Sequence, residues 1–159
     1  ELIRSAVNSG YKIIMITKQT VVARGLLSLE KTIDLNIKVI ERVSKLIDGW
    51  KSDAVYLCPH HPNATVEEYR IDCDCRKPKP GMLLKAAKEQ QIDLSRSYFI
   101  GDRFSDVIAG NLANCKTILL NGDKTTKSLI ESNIVINEEM KKPDYTINNL
   151  SEAWSIIRQ

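Results

Sequence analysis

The sequence predicts an α/β fold built on a doubly wound parallel sheet. Short apolar runs alternate along the chain with longer segments of helical periodicity, and no repeat or low-complexity segment interrupts this alternation. Short, continuously apolar runs are typical of parallel strands buried on both faces, and the helices between them supply the crossover connections. A length of 159 residues is enough for one domain with a sizeable core. We therefore expect a single domain over 1–159.

The elements follow in a regular order. The first helix covers 1–8, where Asn8-Ser9-Gly10 is a typical C-terminal stop. A long helix at 28–48 has apolar residues recurring at helical spacing; they are Ile33, Ile37, Ile40, Val43 and Ile47. Pro80-Gly81 opens another helix that ends near Gln91. The remaining predicted helices are 105–113, a segment near 125–132, and one from Ser151 onward. The predicted strands are 12–17, 54–57, 97–100, 117–120 and 145–147.

The bulk composition limits the function classes. The net charge of +3 is mild and spread along the chain, which argues against nucleic acid as a partner. No apolar run reaches the length that spans a bilayer, so we expect no membrane association. We expect the protein to be a monomer. The sequence starts at Glu1, without methionine, inside the first predicted helix, so we expect that upstream sequence with an N-terminal strand is missing.

Four potential soft-metal ligands bracket a short loop. They are Cys58, His60, Cys73 and Cys75. Three thiolates and one imidazole suit tetrahedral zinc with no position open for water, which is typical of a structural site. The alternative is buried cysteines and a histidine with satisfied hydrogen bonds, but the polar residues of this loop favour zinc. Cys115, in an apolar stretch, is predicted to be core, and His61 lies one residue out of the ligand pattern. Cysteines at ligand spacing favour a reducing, cytoplasmic location.

Polar residues also follow three predicted strands. They are Thr17, Lys18, Gln19 and Thr20 after the first, Cys58 after the second, and Gly101-Asp102-Arg103 after the third. Ligands of such sheets bind beyond the carboxyl ends of the strands, so we expect one active site there. Asp102 is placed to hold Mg²⁺ and Asp106 to brace its loop. The alternative for Asp102 is that it caps the following helix.

The adjacent cations Arg76 and Lys77 are predicted to bind phosphate. Pro78, Pro80 and Gly81 stiffen the backbone around them, Arg can form a fork onto phosphate oxygens, and Lys acts as a point charge. The alternative is a solvated basic turn. Thr17 offers a hydroxyl to the same phosphate, or it caps its strand.

These motifs together resemble the haloacid dehalogenase (HAD) superfamily of phosphohydrolases. The matching features are a Thr at one strand end, a Lys before a helix and Gly-Asp-x-x-x-Asp after the next strand. Three longer strings look like the heptose-bisphosphate phosphatases of this superfamily, and they are VARG at 22–25, CPHHPNATVEEYRIDCDCRKPKPGML at 58–83 and IGDRFSDV at 100–107. The resemblance implies a cap-less HAD fold with a zinc-bound loop.

The resemblance also implies a mechanism and roles. It implies a small phosphorylated sugar as the binding partner, with Mg²⁺ and Zn²⁺ as cofactors. The implied reaction is hydrolysis of the 7-phosphate of D-glycero-D-manno-heptose 1,7-bisphosphate through an aspartyl-phosphate. Thr17 and Lys77 would stabilise the transferred phosphoryl group, and Arg76 would recognise substrate. Asp102 would ligate Mg²⁺ with Arg103 beside it, and Lys18, Gln19 and Thr20 would line the pocket.

The sequence departs from this family at two places. Lys18 stands where the family usually has Asn. The family's nucleophilic Asp-x-Asp after an N-terminal strand is absent, and Asp72-Cys73-Asp74 has its spacing in the wrong context. The absent nucleophile leaves open a non-catalytic, zinc-containing module that binds a phospho-sugar or a protein partner. A histidinol-phosphate phosphatase also stays open, because the zinc loop resembles that of those phosphatases as well.

Overall fold

Helices and strands alternate along the chain. The computed structural model describes residues 1–47, 50–121 and 134–159. Within these residues the α-helices are α1 (Leu2–Asn8), α2 (Thr20–Ala23), α3 (Leu29–Leu46), α4 (Gly81–Gln90), α5 (Phe104–Leu112) and α6 (Leu150–Ile157). The strands are β1 (Ile14–Lys18), β2 (Ala54–Cys58), β3 (Tyr98–Gly101), β4 (Lys116–Leu120) and β5 (Tyr145–Ile147). The predicted helix near 125–132 lies outside the described residues.

The chain divides into two compact units. The first comprises Glu1 and Ile3–Cys73, and the second comprises Leu2 and Asp74–Gln159. In the first, β1 pairs with β2 in parallel, with Thr17 opposite Leu57. In the second, β3, β4 and β5 form a parallel sheet in that order. The predicted parallel pairing is therefore confirmed within each unit.

The first unit differs from the predicted pattern in helix α3. Ser28 caps this helix by accepting a hydrogen bond from the Lys31 backbone N–H at 3.2 Å. The buried residues of α3 are Thr32 and Asn36, whereas Ile33 keeps 45% of its exposure. The apolar periodicity located the helix, and Ile40, Val43 and Ile47 of its predicted stripe are half-buried. Ile33 and Ile37 are exposed, however, and the fully buried positions carry polar side chains. The short helix α2, which buries Val22 and Ala23, was not predicted, because four residues are too few to show a period.

The second unit has its own core. Its centre contains Ile118, Ile147, Ala153 and Ile157. Helix α5 packs closely on β4, since a Cβ added at Gly110 would lie 2.5 Å from Cγ2 of Thr117. This contact fixes α5, and with it the loop between β3 and α5, where Asp102 and Arg103 lie.

Candidate active site and metal centre

The four predicted zinc ligands come together in space. One ligand atom from each of Cys58, His60, Cys73 and Cys75 lies within 4.8 Å of the others, and this group is called the Cys/His cluster below. The sulfur atoms of Cys58 and Cys73 are 3.6 Å apart. Nδ1 of His60 lies 4.0 Å from the sulfur of Cys58. The four cysteines all lie in the described part of the chain, and none of them forms a disulfide bond.

The Cys/His cluster has the donor set and the spacing that zinc requires. Zn–S bonds of about 2.3 Å in a tetrahedron place two sulfur ligands roughly 3.8 Å apart, close to the observed separation of 3.6 Å. Thiolate and imidazole ligands favour Zn²⁺ over the harder Mg²⁺ and Ca²⁺. Four protein ligands leave no position for substrate, so the cluster could hold a structural ion.

Hydrogen bonds fold the loop at 60–73 onto itself. The backbone N–H of Ala64 donates to the carbonyl of His61 at 3.1 Å, and the N–H of His61 donates to the carbonyl of Tyr69 at 3.0 Å. Nε of Arg70 donates to the carbonyl of Ala64 at 3.0 Å. These bonds return the chain on itself, so ligands that are distant in the sequence can converge.

The two adjacent histidines have different surroundings. The ring of His60 lies 6.4 Å from the ring of Tyr69, whose pKa is raised by a hydrogen bond with Glu68. His61 is buried, and its Nδ1 accepts the backbone N–H of Asn63 at 3.0 Å. The lone pair of that nitrogen is therefore occupied. His60 is the histidine of the cluster, and His61 supports the loop.

An ion pair that is largely shielded from water lies at the predicted phosphate-binding residues. Nζ of Lys77 is 2.7 Å from Oδ1 of Asp106, and the two side chains are 12% and 7% exposed. The same Nζ lies over the ring of Phe99, 5.6 Å from its centroid. Arg76 is buried as well. Neither cation therefore has the exposure of a solvated basic turn.

Asp106 also closes the loop after β3. Its Oδ2 accepts the backbone N–H of Arg103 at 3.1 Å. A Cβ added at Gly101 would lie 2.3 Å from Cβ of Asp106, so glycine is needed for this close approach. The helix cap is Arg103 rather than Asp102. The Asp102 side chain is exposed at the carboxyl end of β3, and it does not act as the cap.

The residues at 17–20 form a hydrogen-bonded group at the end of β1. Nε2 of Gln19 donates to Oγ1 of Thr17 at 3.0 Å and to Oδ1 of Asn36 at 3.4 Å. The backbone N–H of Gln19 donates to the carbonyl of Cys58 at 2.9 Å. Asn36 belongs to no motif. The only sequence signal for it is a polar residue between the apolar positions of α3.

One family model and several known phosphatases match this chain. The model of the HAD-hydrolase-like family matches residues 74–153. The D-glycero-β-D-manno-heptose-1,7-bisphosphate 7-phosphatase of Photorhabdus laumondii is 39% identical over 131 residues, which cover 80% of this chain and 69% of that protein. The enzyme of the same name from Pasteurella multocida is 35% identical over 149 residues, covering 94% of this chain and 75% of the relative. The chain belongs to this phosphatase family.

A solved structure supports the fold of this family member. The crystal structure of D,D-heptose 1.7-bisphosphate phosphatase from B. bronchiseptica, in complex with magnesium and phosphate, aligns with a TM-score of 0.75. It covers 99% of this chain and 80% of its own chain at 23% sequence identity. The predicted HAD-like α/β fold is therefore confirmed.

The predicted site residues of this family member fall in both units. Those of the first unit are Thr17, Lys18, Gln19, Thr20, Cys58, His60 and Cys73, and those of the second are Cys75, Arg76, Lys77, Asp102, Arg103 and Asp106. The structure brings together the Cys/His cluster, the pair of Lys77 and Asp106, and the group around Gln19. A single active site that joins all of them stays a prediction.

Cys115 is buried, which confirms its predicted place in the core, and burial raises the pKa of its thiol to about 11. Among the described helices, none combines the length and the apolar character needed to cross a bilayer.

Proposed function

We propose that the protein hydrolyses the 7-phosphate of D-glycero-D-manno-heptose 1,7-bisphosphate. One water is consumed, and inorganic phosphate and heptose 1-phosphate are released. Family membership supports this substrate, since the relatives carry its name. The structural observation that carries the proposal is the cation of Lys77, held 2.7 Å from Asp106 and largely shielded from water. A fixed cation of this kind suits an anionic group that gains charge during its transfer.

Each proposed role uses the chemistry of one side chain. Lys77 opposes the charge of the transferred phosphoryl group, and Thr17 donates a hydrogen bond to one of its oxygens. Arg76 binds the substrate through the fork of its guanidinium. Asp102 offers one carboxylate to Mg²⁺, which usually binds proteins through one or two carboxylates together with phosphate oxygens. When bound there, the ion would neutralise phosphate charge.

Specificity is assigned to the residues around the phosphate. Lys18 and Thr20 line the sugar pocket together with Gln19, and Arg103 lies beside the Mg²⁺ ligand. The family resemblance implies Asn at position 18, whereas this chain has the cation of Lys18, so Lys18 adds attraction for the second phosphate of a bisphosphate. We expect Lys18→Asn to raise KM for the bisphosphate more than KM for a sugar monophosphate.

The nucleophile is the part of the mechanism that these residues do not supply. The mechanism of the superfamily requires an aspartate that attacks phosphorus and a second acid that protonates the leaving oxygen. The only Asp-x-Asp among the 159 residues is 72–74, next to the Cys/His cluster. We assign phosphoryl binding to the residues above and no nucleophilic role to any of them. Activity is therefore assayed with protein expressed from its complete reading frame.

The test is phosphate release from four substrates. We expect turnover of the 1,7-bisphosphate, with the β anomer preferred over the α anomer because the relatives are named for β. Heptose 7-phosphate and histidinol phosphate serve as comparison substrates. Faster turnover of histidinol phosphate would instead assign the protein to that reaction. No release from any substrate, with Mg²⁺ and zinc present, would indicate a non-catalytic binding module.

Two lysine variants test whether a measured activity depends on the proposed site. Lys77→Met removes the buried cation, and we expect kcat to fall at least about 100-fold. Lys85→Met is the matched control, since Lys85 forms an exposed pair with Glu89 at 3.8 Å, and its activity is expected to stay unchanged. Equal activity of both variants would exclude Lys77 from the reaction.

We also propose that the protein acts as a monomer in the cytoplasm. A reducing compartment keeps the three thiols of the Cys/His cluster available to zinc. Size-exclusion chromatography with light scattering tests the monomer, and cell fractionation tests the location.

A further inference from the structure

Gln19 holds the hydroxyl of Thr17 in a specific hydrogen-bonding role. Nε2 of Gln19 donates to Oγ1 of Thr17 at 3.0 Å. A hydroxyl has one hydrogen and two acceptor lone pairs. Because Gln19 occupies one lone pair as a donor, the hydrogen of Thr17 is left to point toward another acceptor.

Asn36 fixes which end of the Gln19 amide faces Thr17. The second hydrogen of Nε2 is directed to Oδ1 of Asn36 at 3.4 Å. If the Gln19 amide alone turned over, its carbonyl oxygen would face Oδ1 of Asn36, and two acceptors would oppose each other. The backbone of Gln19 is held independently, since its N–H donates to the Cys58 carbonyl at 2.9 Å. Asn36 therefore controls the remaining freedom of the side chain.

The position of Asn36 argues for a reason beyond helix packing. It is 7% exposed on helix α3, and its Nδ2 makes no hydrogen bond among the described residues. A buried polar group without a partner costs about 1 to 3 kcal/mol. An apolar residue at this position would avoid that cost, so stability alone does not account for an asparagine there.

We propose that Asn36 is a positioning residue that orients Gln19, so that the Thr17 hydroxyl donates its hydrogen to the transferred phosphoryl group. This inference rests on the proposed phosphatase function. It changes the role of Gln19 from a pocket residue to the link between Asn36 and Thr17. In the rival arrangement both side-chain amides are flipped. Asn36 then donates to Gln19, and the hydroxyl of Thr17 donates to the carbonyl oxygen of Gln19 instead of to the phosphoryl group.

The variant Asn36→Asp distinguishes the two arrangements. A carboxylate at position 36 can accept from Gln19 but cannot donate to it. We expect Asn36→Asp to keep kcat within about threefold of the unchanged protein. Asn36→Leu removes the acceptor, and we expect kcat to fall about tenfold with KM nearly unchanged, because a misplaced catalytic group costs mainly in the reaction step. A loss in Asn36→Asp equal to that in Asn36→Leu would overturn the proposed direction.

The same substitutions in a Thr17→Val background test whether Asn36 acts through Thr17. Without a hydroxyl to orient, Asn36→Leu should have no further effect on kcat, whereas a purely structural role would lower activity in both backgrounds. If Asn36→Leu does not fold, Gln19→Leu carries the same expectation. Additive losses in the Thr17→Val background would overturn the proposal.

The hydrogen bonds of Gln19 can be tested by NMR whether or not the protein hydrolyses a sugar phosphate. The side-chain amide of Gln19 gives its own signals in ¹⁵N-correlated NMR spectra. We expect these signals to move in Asn36→Leu and in Thr17→Val, and to move less in Asn36→Asp. If the protein turns over no sugar phosphate, the proposed function fails while this hydrogen-bond test still stands. Unchanged Gln19 signals in both Asn36→Leu and Thr17→Val would show that the two contacts do not exist in solution.

Discussion

Lys77 and Asp106 form an ion pair that is largely removed from water. Nζ and Oδ1 are 2.7 Å apart, and the side chains keep only 12% and 7% of their exposure. The second oxygen of Asp106 accepts the Arg103 backbone N–H. One carboxylate thus holds both the buried cation and the loop that carries Asp102.

Removal of Asp106 should therefore be costly for folding. Asp106→Ala removes the carboxylate that pairs with the largely shielded ammonium of Lys77, and breaking such a pair costs about 3 to 5 kcal/mol. We expect that decrease in the free energy of unfolding, measured by urea denaturation. Glu89→Ala is the matched control, since its partner Lys85 is 63% exposed, and it should cost less than about 0.5 kcal/mol. Similar losses in the two variants would contradict the burial of the pair.

The Cys/His cluster should bind one zinc ion per chain. Cys73→Ser removes one of four ligands, and we expect zinc measured by mass spectrometry to fall severalfold after dialysis. Because the cluster closes the loop at 60–73, removal of the metal should also lower the melting temperature. Cys115→Ala is the control, since Cys115 is a core thiol outside the cluster. Full zinc content in Cys73→Ser would exclude this residue as a ligand.

Asp102 should affect metal-dependent activity without affecting stability. Its side chain is exposed, so we expect Asp102→Asn to change the free energy of unfolding by less than about 0.5 kcal/mol. Its kcat should fall at least about 100-fold, since the ligand for the charge-neutralising ion is lost. Titration with Mg²⁺ in a phosphate-release assay measures this, with Asp34→Asn, an exposed carboxylate on α3, as control. A fully active Asp102→Asn would remove Asp102 from the proposed metal site.

The sequence predicted those parts of the protein that depend on local pattern. Strand β4 was found from a short apolar run, and the Cys/His cluster from the spacing of its ligands. The contact between Gln19 and Asn36 depends on which residues of α3 face inward. Of the predicted apolar stripe, Ile33 and Ile37 are exposed, whereas the polar Asn36 is buried. Sequence periodicity locates a helix, but packing partners decide which side chains meet.

A side chain at Gly81 should destabilise the fold because it would clash with a neighbouring backbone atom, and not because of the backbone φ angle. A Cβ there would lie 2.3 Å from the carbonyl oxygen of Asp74, to which the Gly81 N–H donates at 3.0 Å. We expect Gly81→Ala to displace the segment that carries Arg76 and Lys77, with a loss of more than about 2 kcal/mol in the free energy of unfolding.

Gly10 provides the contrasting case for the same substitution. Its φ is +81°, but nothing lies within 4 Å of an added Cβ. Gly10→Ala should therefore cost about 1 to 2 kcal/mol from backbone strain alone, and it should leave activity unchanged. An active, stable Gly81→Ala would show that the loop can move away from Asp74 at little cost.

Cys115 should make stability fall at alkaline pH. Burial raises the pKa of its thiol from the ordinary value of 9.0 to about 11. Between these values the thiol is deprotonated in the unfolded chain but stays protonated in the folded chain. Ionisation therefore lowers the free energy of the unfolded state and decreases the free energy of unfolding. The contribution is fully present below pH 9 and is lost as the pH rises toward 11. A shift of this size corresponds to roughly 2 to 3 kcal/mol.

Because lysines and tyrosines also titrate in this range, the decisive quantity is the difference between the unchanged protein and Cys115→Ala. Urea denaturation from pH 8 to pH 10.5 should show that the stability advantage of the unchanged protein shrinks over this interval, and parallel curves would mean that the thiol ionises equally easily in both states.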